Sequence, residues 1–188
     1  MITELDKNTA LVLIDLQKSI VSLTLAHPVK DVLERASGLV AAFREAQRPI
    51  VIVNVNPSGS LASKVRKDAR QPVASFKEDW LEITPEIQTR ETDIFITKRT
   101  WNAFFETDLH QVLQSRNITG IVLAGISASI GVEGTARAAN ELRYNISFAT
   151  DAMTDMQIDA YQTSLKYIYP RLGETGTANE IISKLNTL

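Results

Sequence analysis

Continuous apolar runs alternate with helix-patterned stretches along this chain, and that alternation limits the fold more than any other feature. Thr9-Ala-Leu-Val-Leu-Ile14 is the first run. It is apolar at nearly every position rather than at every second one, as expected of a strand covered on both faces. Val32, Leu33, Ala36, Leu39, Val40 and Phe43 recur at three- and four-residue steps and predict a helix over 29–47. Pro49 ends it, and Ile50–Val55 gives a second strand. Asp93–Thr97, Thr119–Ala124 and Asn145–Ala149 read as strands three to five, with a short sixth near 171–175. Helices are expected from Thr107, as cap, to Arg116 and from Ile130 to Leu142. Thr154-Asp-Met-Gln157 and Thr177-Ala-Asn-Glu180 both have capping-box spacing and predict two more helix starts.

Strand–helix alternation calls for an α/β fold, a mostly parallel sheet with helices on both faces. A closed eight-stranded barrel needs eight such units and typically about 250 residues; the chain has 188. A doubly wound sheet in a single domain, 1–188, is therefore expected. Residues 56–90, with Pro57, Gly59, Pro72 and Pro85, read as a long connection holding one short helix.

Composition excludes several functions. There is no cysteine, so disulfides, thiolate metal sites and thiol nucleophiles are closed to this chain. The net charge of −2 supplies no basic face for nucleic acid. No apolar stretch approaches the ~20 residues of a membrane span, and the polar start lacks the pattern of a secretion signal. A cytoplasmic protein acting on a small molecule is the expectation.

In open parallel sheets, ligands bind outside the C-terminal strand ends. That rule selects Asp15 after strand one, Lys98 after strand three, and Gly125-Ile-Ser-Ala-Ser-Ile130 between strand four and its helix. A carboxyl, a cation and a helix start rich in N–H groups suit acid–base chemistry with oxyanion stabilisation. Each also has a plainer reading: a loop-capping Asp, a solvated Lys, small residues needed for packing. Ser127 as a nucleophile is disfavoured, because His27 and His110 both precede it in the chain, opposite to the α/β-hydrolase order. The two histidines read as ordinary loop or helix residues. With no histidine in Asn54-Val-Asn56-Pro-Ser-Gly59 and no glycine fingerprint after strand one, neither metal nor cofactor is expected. Lys64, Arg66, Lys67 and Arg70 read as a solvated face, with attraction of a carboxylated substrate as the alternative. Trp101 and Trp80 are candidates to wall a pocket, Trp101 before Trp80.

The motifs together resemble the isochorismatase-like superfamily. Asp15-Leu-Gln17 is similar to its opening acid motif. Lys98-Arg-Thr-Trp-Asn-Ala-Phe104 with Thr107-Asp-Leu109 is similar to its lysine motif. Gly125-Ile-Ser-Ala-Ser-Ile-Gly-Val132, with Thr135-Ala136 and Ala138-Ala139, is similar to its third motif, and Asp151-Ala152 to a landmark after strand five. The resemblance implies a six-stranded doubly wound sheet and a homodimer or homotetramer, with Arg99 turned toward a subunit interface. It implies Asp15, Lys98 and the position of Gly131 as the catalytic set, with Ile126, Ser127, Gln17 and Trp101 around substrate or oxyanion. It also implies a cis peptide at Ile126–Ser127. Most members carry cysteine where this chain has Gly131. The thiol-free members, the true isochorismatases, hydrolyse a vinyl ether. By that resemblance Asp15 is the general acid and Lys98 the orienting cation, with no cofactor. The alternatives are a non-catalytic binding or assembly module, and an amidase or imidase working without cysteine.

Overall fold

The computed structural model describes residues 1–56 and 78–188, together with Ser58, Arg66 and Asp68. Six strands, β1 (Thr9–Ile14), β2 (Ile50–Val55), β3 (Ile94–Lys98), β4 (Gly120–Ile126), β5 (Asn145–Thr154) and β6 (Glu174–Gly176), form one sheet. Its order is β3-β2-β1-β4-β5-β6 and every pairing is parallel. The helices are α1 (Lys18–Val21), α2 (Val29–Glu45), α3 (Leu109–Ser115), α4 (Glu133–Glu141), α5 (Ile158–Thr163), α6 (Tyr169–Leu172) and α7 (Ala178–Leu185).

The continuous apolar runs are explained by two cores, one on each face. Leu11, Leu13, Ile50, Ile52, Val122 and Ala124 pack with Leu39 and Phe43 of α2 and Ile181 of α7. Ala10, Val12, Ile14, Val51, Val53, Ile121 and Leu123 point the other way, onto Leu109 and Leu113 of α3 and Ala136 and Ala139 of α4. All six residues of β1 and all seven of β4 are buried. Chain order reverses between β1 and β4, so the crevice at their C-terminal ends is the switch point. There β4 lies hard against β1: a β-carbon on Gly125, whose φ is +125°, would fall 2.1 Å from the Ile14 carbonyl oxygen. Only glycine satisfies both the dihedral and the space. Among the described residues no helix is long and apolar enough to cross a membrane.

Three details differ from expectation. The Thr154–Gln157 capping box does not form. β5 continues to Thr154, whose Oγ1 meets the N–H and the ring Nδ1 of His27, at 3.2 and 2.9 Å. Asp155 Oδ1 accepts from the N–H of Met156, and α5 starts after Gln157. Tertiary partners claim the side chains that the local spacing had assigned to a cap. The box at Thr177 does form, with Glu180 accepting from the Thr177 N–H and Thr177 Oγ1 accepting from the Glu180 N–H. The helix expected from Ile130 starts instead at Glu133, after a widened turn over Ala128–Val132. In that turn the Val132 and Glu133 N–H groups reach back five residues, to the Ser127 and Ala128 carbonyls. Lastly, residues 171–172 close α6, and β6 starts only at Glu174.

Within 56–90, two short 3-10 turns, Glu78–Leu81 and Pro85–Ile87, are described. Of the basic residues noted there, Arg66 is exposed; Lys64, Lys67 and Arg70 lie outside the described residues.

Candidate active site

Asp15 leaves β1 in the left-handed region, φ 53°, a conformation that Asp tolerates better than bulky residues do. Its N–H donates to Val53 O at 2.9 Å, which fixes the turn against β2. Lys98 is the last residue of edge strand β3. Strands are about 4.8 Å apart and β2 lies between, so only a long side chain can cross. It does cross: Lys98 Nζ donates to Asp15 Oδ2 at 2.7 Å and to Thr100 O at 3.0 Å. The pair is almost fully enclosed, with side chains 2% and 7% exposed. Asp15 Oδ1 is buried and has no hydrogen-bond partner among the described residues.

Burial dominates the electrostatics of this pair. Desolvation lifts the Asp15 carboxyl from 3.8 to about 6, against the opposing pull of the Lys98 charge and hydrogen bond. An aspartate at that value exchanges a proton near neutrality, which suits acid–base work.

Gly131 sits at the same point. A β-carbon built on it would lie 3.3 Å from Asp15 Oδ2 and 3.0 Å from Ile14 Cγ2. Any side chain at 131 therefore starts out against the Asp15–Lys98 pair. Gly131 belongs to the widened turn that follows β4, and such turns concentrate at functional sites. The Ile126–Ser127 peptide that opens the turn is cis.

The other expected site residues are placed unevenly. Ile126 is buried at the end of β4, and its carbonyl oxygen would lie 3.6 Å from a β-carbon on Gly131. The Ser127 hydroxyl is buried beside Asp155. Gln17, fully buried, is committed to the backbone. Its Oε1 accepts from Val55 N–H at 2.7 Å, and its Nε2 donates to Trp80 O at 2.6 Å. It thus ties the exits of β1 and β2 to the segment at Trp80. Trp80 Nε1 donates to Val55 O and its ring packs against the core on the α2 face. Trp101 is 61% exposed, and its Cβ would lie 3.4 Å from a β-carbon on Gly134 of α4. Arg99 donates to Ser58 O at 2.6 Å. His110 meets the Tyr144 hydroxyl in an aromatic group with Phe104, away from the pair. Among the described residues no group of three or more His, Asp and Glu side chains could hold a metal ion.

Three residues outside the expected catalytic set hold the 127–131 turn. Tyr169 OH donates to Ala128 O at 2.8 Å, while its ring stacks on Phe148 at 4.0 Å. Thr135 Oγ1 donates to Gly131 O at 2.7 Å and accepts from Ala103 N–H at 3.0 Å, joining the turn to the loop after Lys98. Asp155 Oδ2 accepts from Ser129 N–H and Oγ. Thr135 carries a sequence signal, its place in the third motif; Tyr169 and Asp155 carry none that points to this turn.

Comparison with known proteins identifies the family. The Isochorismatase domain model matches residues 9–180. An uncharacterized isochorismatase family protein of Escherichia coli O157:H7, YecD, is 38% identical over 182 residues, which is 95% of this chain and 97% of that one. The ureidoacrylate amidohydrolase RutB of Rhizobium rhizogenes is 27% identical over 71% of this chain and 55% of its own length. A solved structure of an isochorismatase family protein from Burkholderia thailandensis superposes with a TM-score of 0.93 at 36% identity, covering 99% of this chain and 100% of that one. With the family model matched over nearly the whole chain, and relatives matched almost end to end, this chain belongs to the isochorismatase family of hydrolases.

Proposed function

We propose that the chain hydrolyses the vinyl ether of a small carboxylated metabolite of the isochorismate type. Asp15 is the general acid and Lys98 the cation that orients it. The observation that carries this reading is the buried Asp15–Lys98 pair facing a residue with no side chain, Gly131. Nothing here can form an acyl-thioester, because the chain has no cysteine. Lys98 occupies Oδ2, which leaves Oδ1 to carry the proton. Asp15 transfers that proton to the terminal carbon of the enol ether, giving an oxocarbenium ion. Water adds to the ion, the hemiketal loses its alcohol as the C–O bond breaks, and the surplus proton returns to Asp15. The products are the alcohol and pyruvate. A midpoint of about 6 leaves roughly one Asp15 in ten protonated at neutral pH; an anionic substrate raises that share by repelling the carboxylate.

The test is pyruvate release from isochorismate, with Asp15→Ala as the paired control. Release by the wild type and its loss in the variant support the reading; no release by the wild type sinks it. A second reading, hydrolysis of an amide or imide, is favoured by the same midpoint. Above about 6 Asp15 is a carboxylate and can activate water directly, and the relatives include an amidohydrolase. For assembly we propose a homodimer or homotetramer in the cytoplasm, supported by the large apolar side chains of Phe95, Trp101 and Phe105, each half or more exposed. Light scattering at micromolar concentration tests it, a monomer being the contrary result.

A further inference from the structure

Asp155 is a buried carboxylate that the proposed reaction does not use. It is 2% exposed, and both of its oxygens accept hydrogen bonds. Oδ1 serves its own neighbours, accepting from Met156 N–H at 2.8 Å and Gln157 N–H at 3.4 Å. Oδ2 serves a different segment, accepting from Ser129 N–H at 2.7 Å and Ser129 Oγ at 2.8 Å. The first arm starts α5. The second reaches 26 residues back, to the middle of the turn between Ser127 and Gly131.

That turn is gripped from three elements. Tyr169 of α6 holds the Ala128 carbonyl and Thr135 of α4 holds the Gly131 carbonyl. Both grips draw carbonyl oxygens toward buried hydroxyls. Asp155 is the grip that takes an N–H, and it is the charged one; hydrogen bonds to an ionised acceptor are about twice as strong as neutral ones. Burial alone would lift its carboxyl, but the Ser127 hydroxyl and the bonds from Ser129 and Gln157 outweigh burial and hold it below the ordinary range. It therefore stays ionised wherever Asp15 titrates.

We infer that Asp155 is a positioning residue for the reaction centre: through Ser129 it clamps the 127–131 turn, so that the Gly131 backbone stays closed against Asp15. The inference rests on the reading that this turn lines the reaction centre. It needs neither a substrate nor a known product.

The test uses a reporter that the cysteine-free chain makes unambiguous. Gly131→Cys places a single thiol beside Asp15 Oδ2, and iodoacetamide alkylation is followed against pH. On the high-pH plateau the thiol is fully ionised, so the rate there reads access to position 131 and not charge. Adding Asp155→Asn keeps an acceptor for Met156 but offers N–H to the Ser129 N–H. The expected result is a plateau rate at least about threefold higher, because a buried position has opened. Thr177→Ala, which weakens α7 far from the turn, leaves the plateau where it was. With Gly131 kept as it is in the natural chain, amide hydrogen exchange of residues 127–132 provides an independent readout. There Asp155→Asn speeds exchange at least about tenfold while 120–124 is unchanged. If both the plateau rate and the exchange are unaltered by Asp155→Asn, the positioning role is overturned. No pyruvate release by the wild type, beside a turn that Asp155→Asn opens, would sink the reaction and leave the clamp standing.

Discussion

Lys98→Met removes the cation from the buried pair and keeps most of the side-chain volume. In the wild type the Asp15 carboxyl is held at about 6 in the folded chain against 3.8 as a free group. The folded state therefore binds more proton than the unfolded state between those values, and stability falls as pH rises through that window. The fall is on the order of 3 kcal/mol, from about 2.2 pKa units at about 1.36 kcal/mol each. Above about 6 both states are ionised and Asp15 adds no further slope. In the variant, the two influences that lower the carboxyl, the Lys98 charge and its hydrogen bond, are gone and desolvation remains. The folded-state value moves well above 6, and the slope of about 1.4 kcal/mol per pH unit continues through neutrality. The stability gap between the two proteins therefore widens by up to about 3 kcal/mol between about pH 6 and about pH 8. For a chain of this length that is about 6–12 °C in Tm. Thermal unfolding of both proteins at several pH values in that range is the assay. A gap equally large at both ends would refute the reasoning, since it would mean that Asp15 does not titrate against Lys98.

Two further substitutions probe the frame around the site. Gly125→Ala sets a β-carbon 2.1 Å from the Ile14 carbonyl at a φ of +125°; it prevents accumulation of folded protein or lowers its stability by several kcal/mol, read by urea unfolding. Thr177→Ala deletes the cap of α7 and costs about 1 kcal/mol in the same assay, with the Asp15 titration, followed by carboxyl NMR, unmoved.

The sheet was legible because a strand buried on both faces must be apolar throughout, and β1, β2 and β4 are the most enclosed parts of the molecule. Asp15 and Lys98 were legible for a related reason. A charged residue at the end of such a run lies at the strand's C-terminal edge, where the crevice is. What the sequence hid was how the turn after β4 is held. Tyr169 and Asp155 act across 41 and 26 residues, and nothing local marks them as partners. Thr135 lies in the third motif, but the Ala103 N–H it also bonds is 32 residues away. The two capping-box spacings behave differently for the same reason. Thr177 and Glu180 complete their box within the local segment. Thr154 has the same spacing to Gln157, but His27 takes its hydroxyl and β5 takes its backbone. The resemblance implies Gln17 near substrate; in the structure its amide fastens the exit of β1 to β2, because a fully buried amide needs partners and the Val55 and Trp80 backbone supplies them.

The role of Asp15 is tested most directly by the pH dependence of kcat/KM for pyruvate release from isochorismate, which reports ionisations of the free enzyme. As general acid, Asp15 predicts a plateau at low pH and a fall of about tenfold per unit above about pH 6, absent in Asp15→Asn. A profile that rises through the same region would assign Asp15 as a base and contradict the proposed reaction.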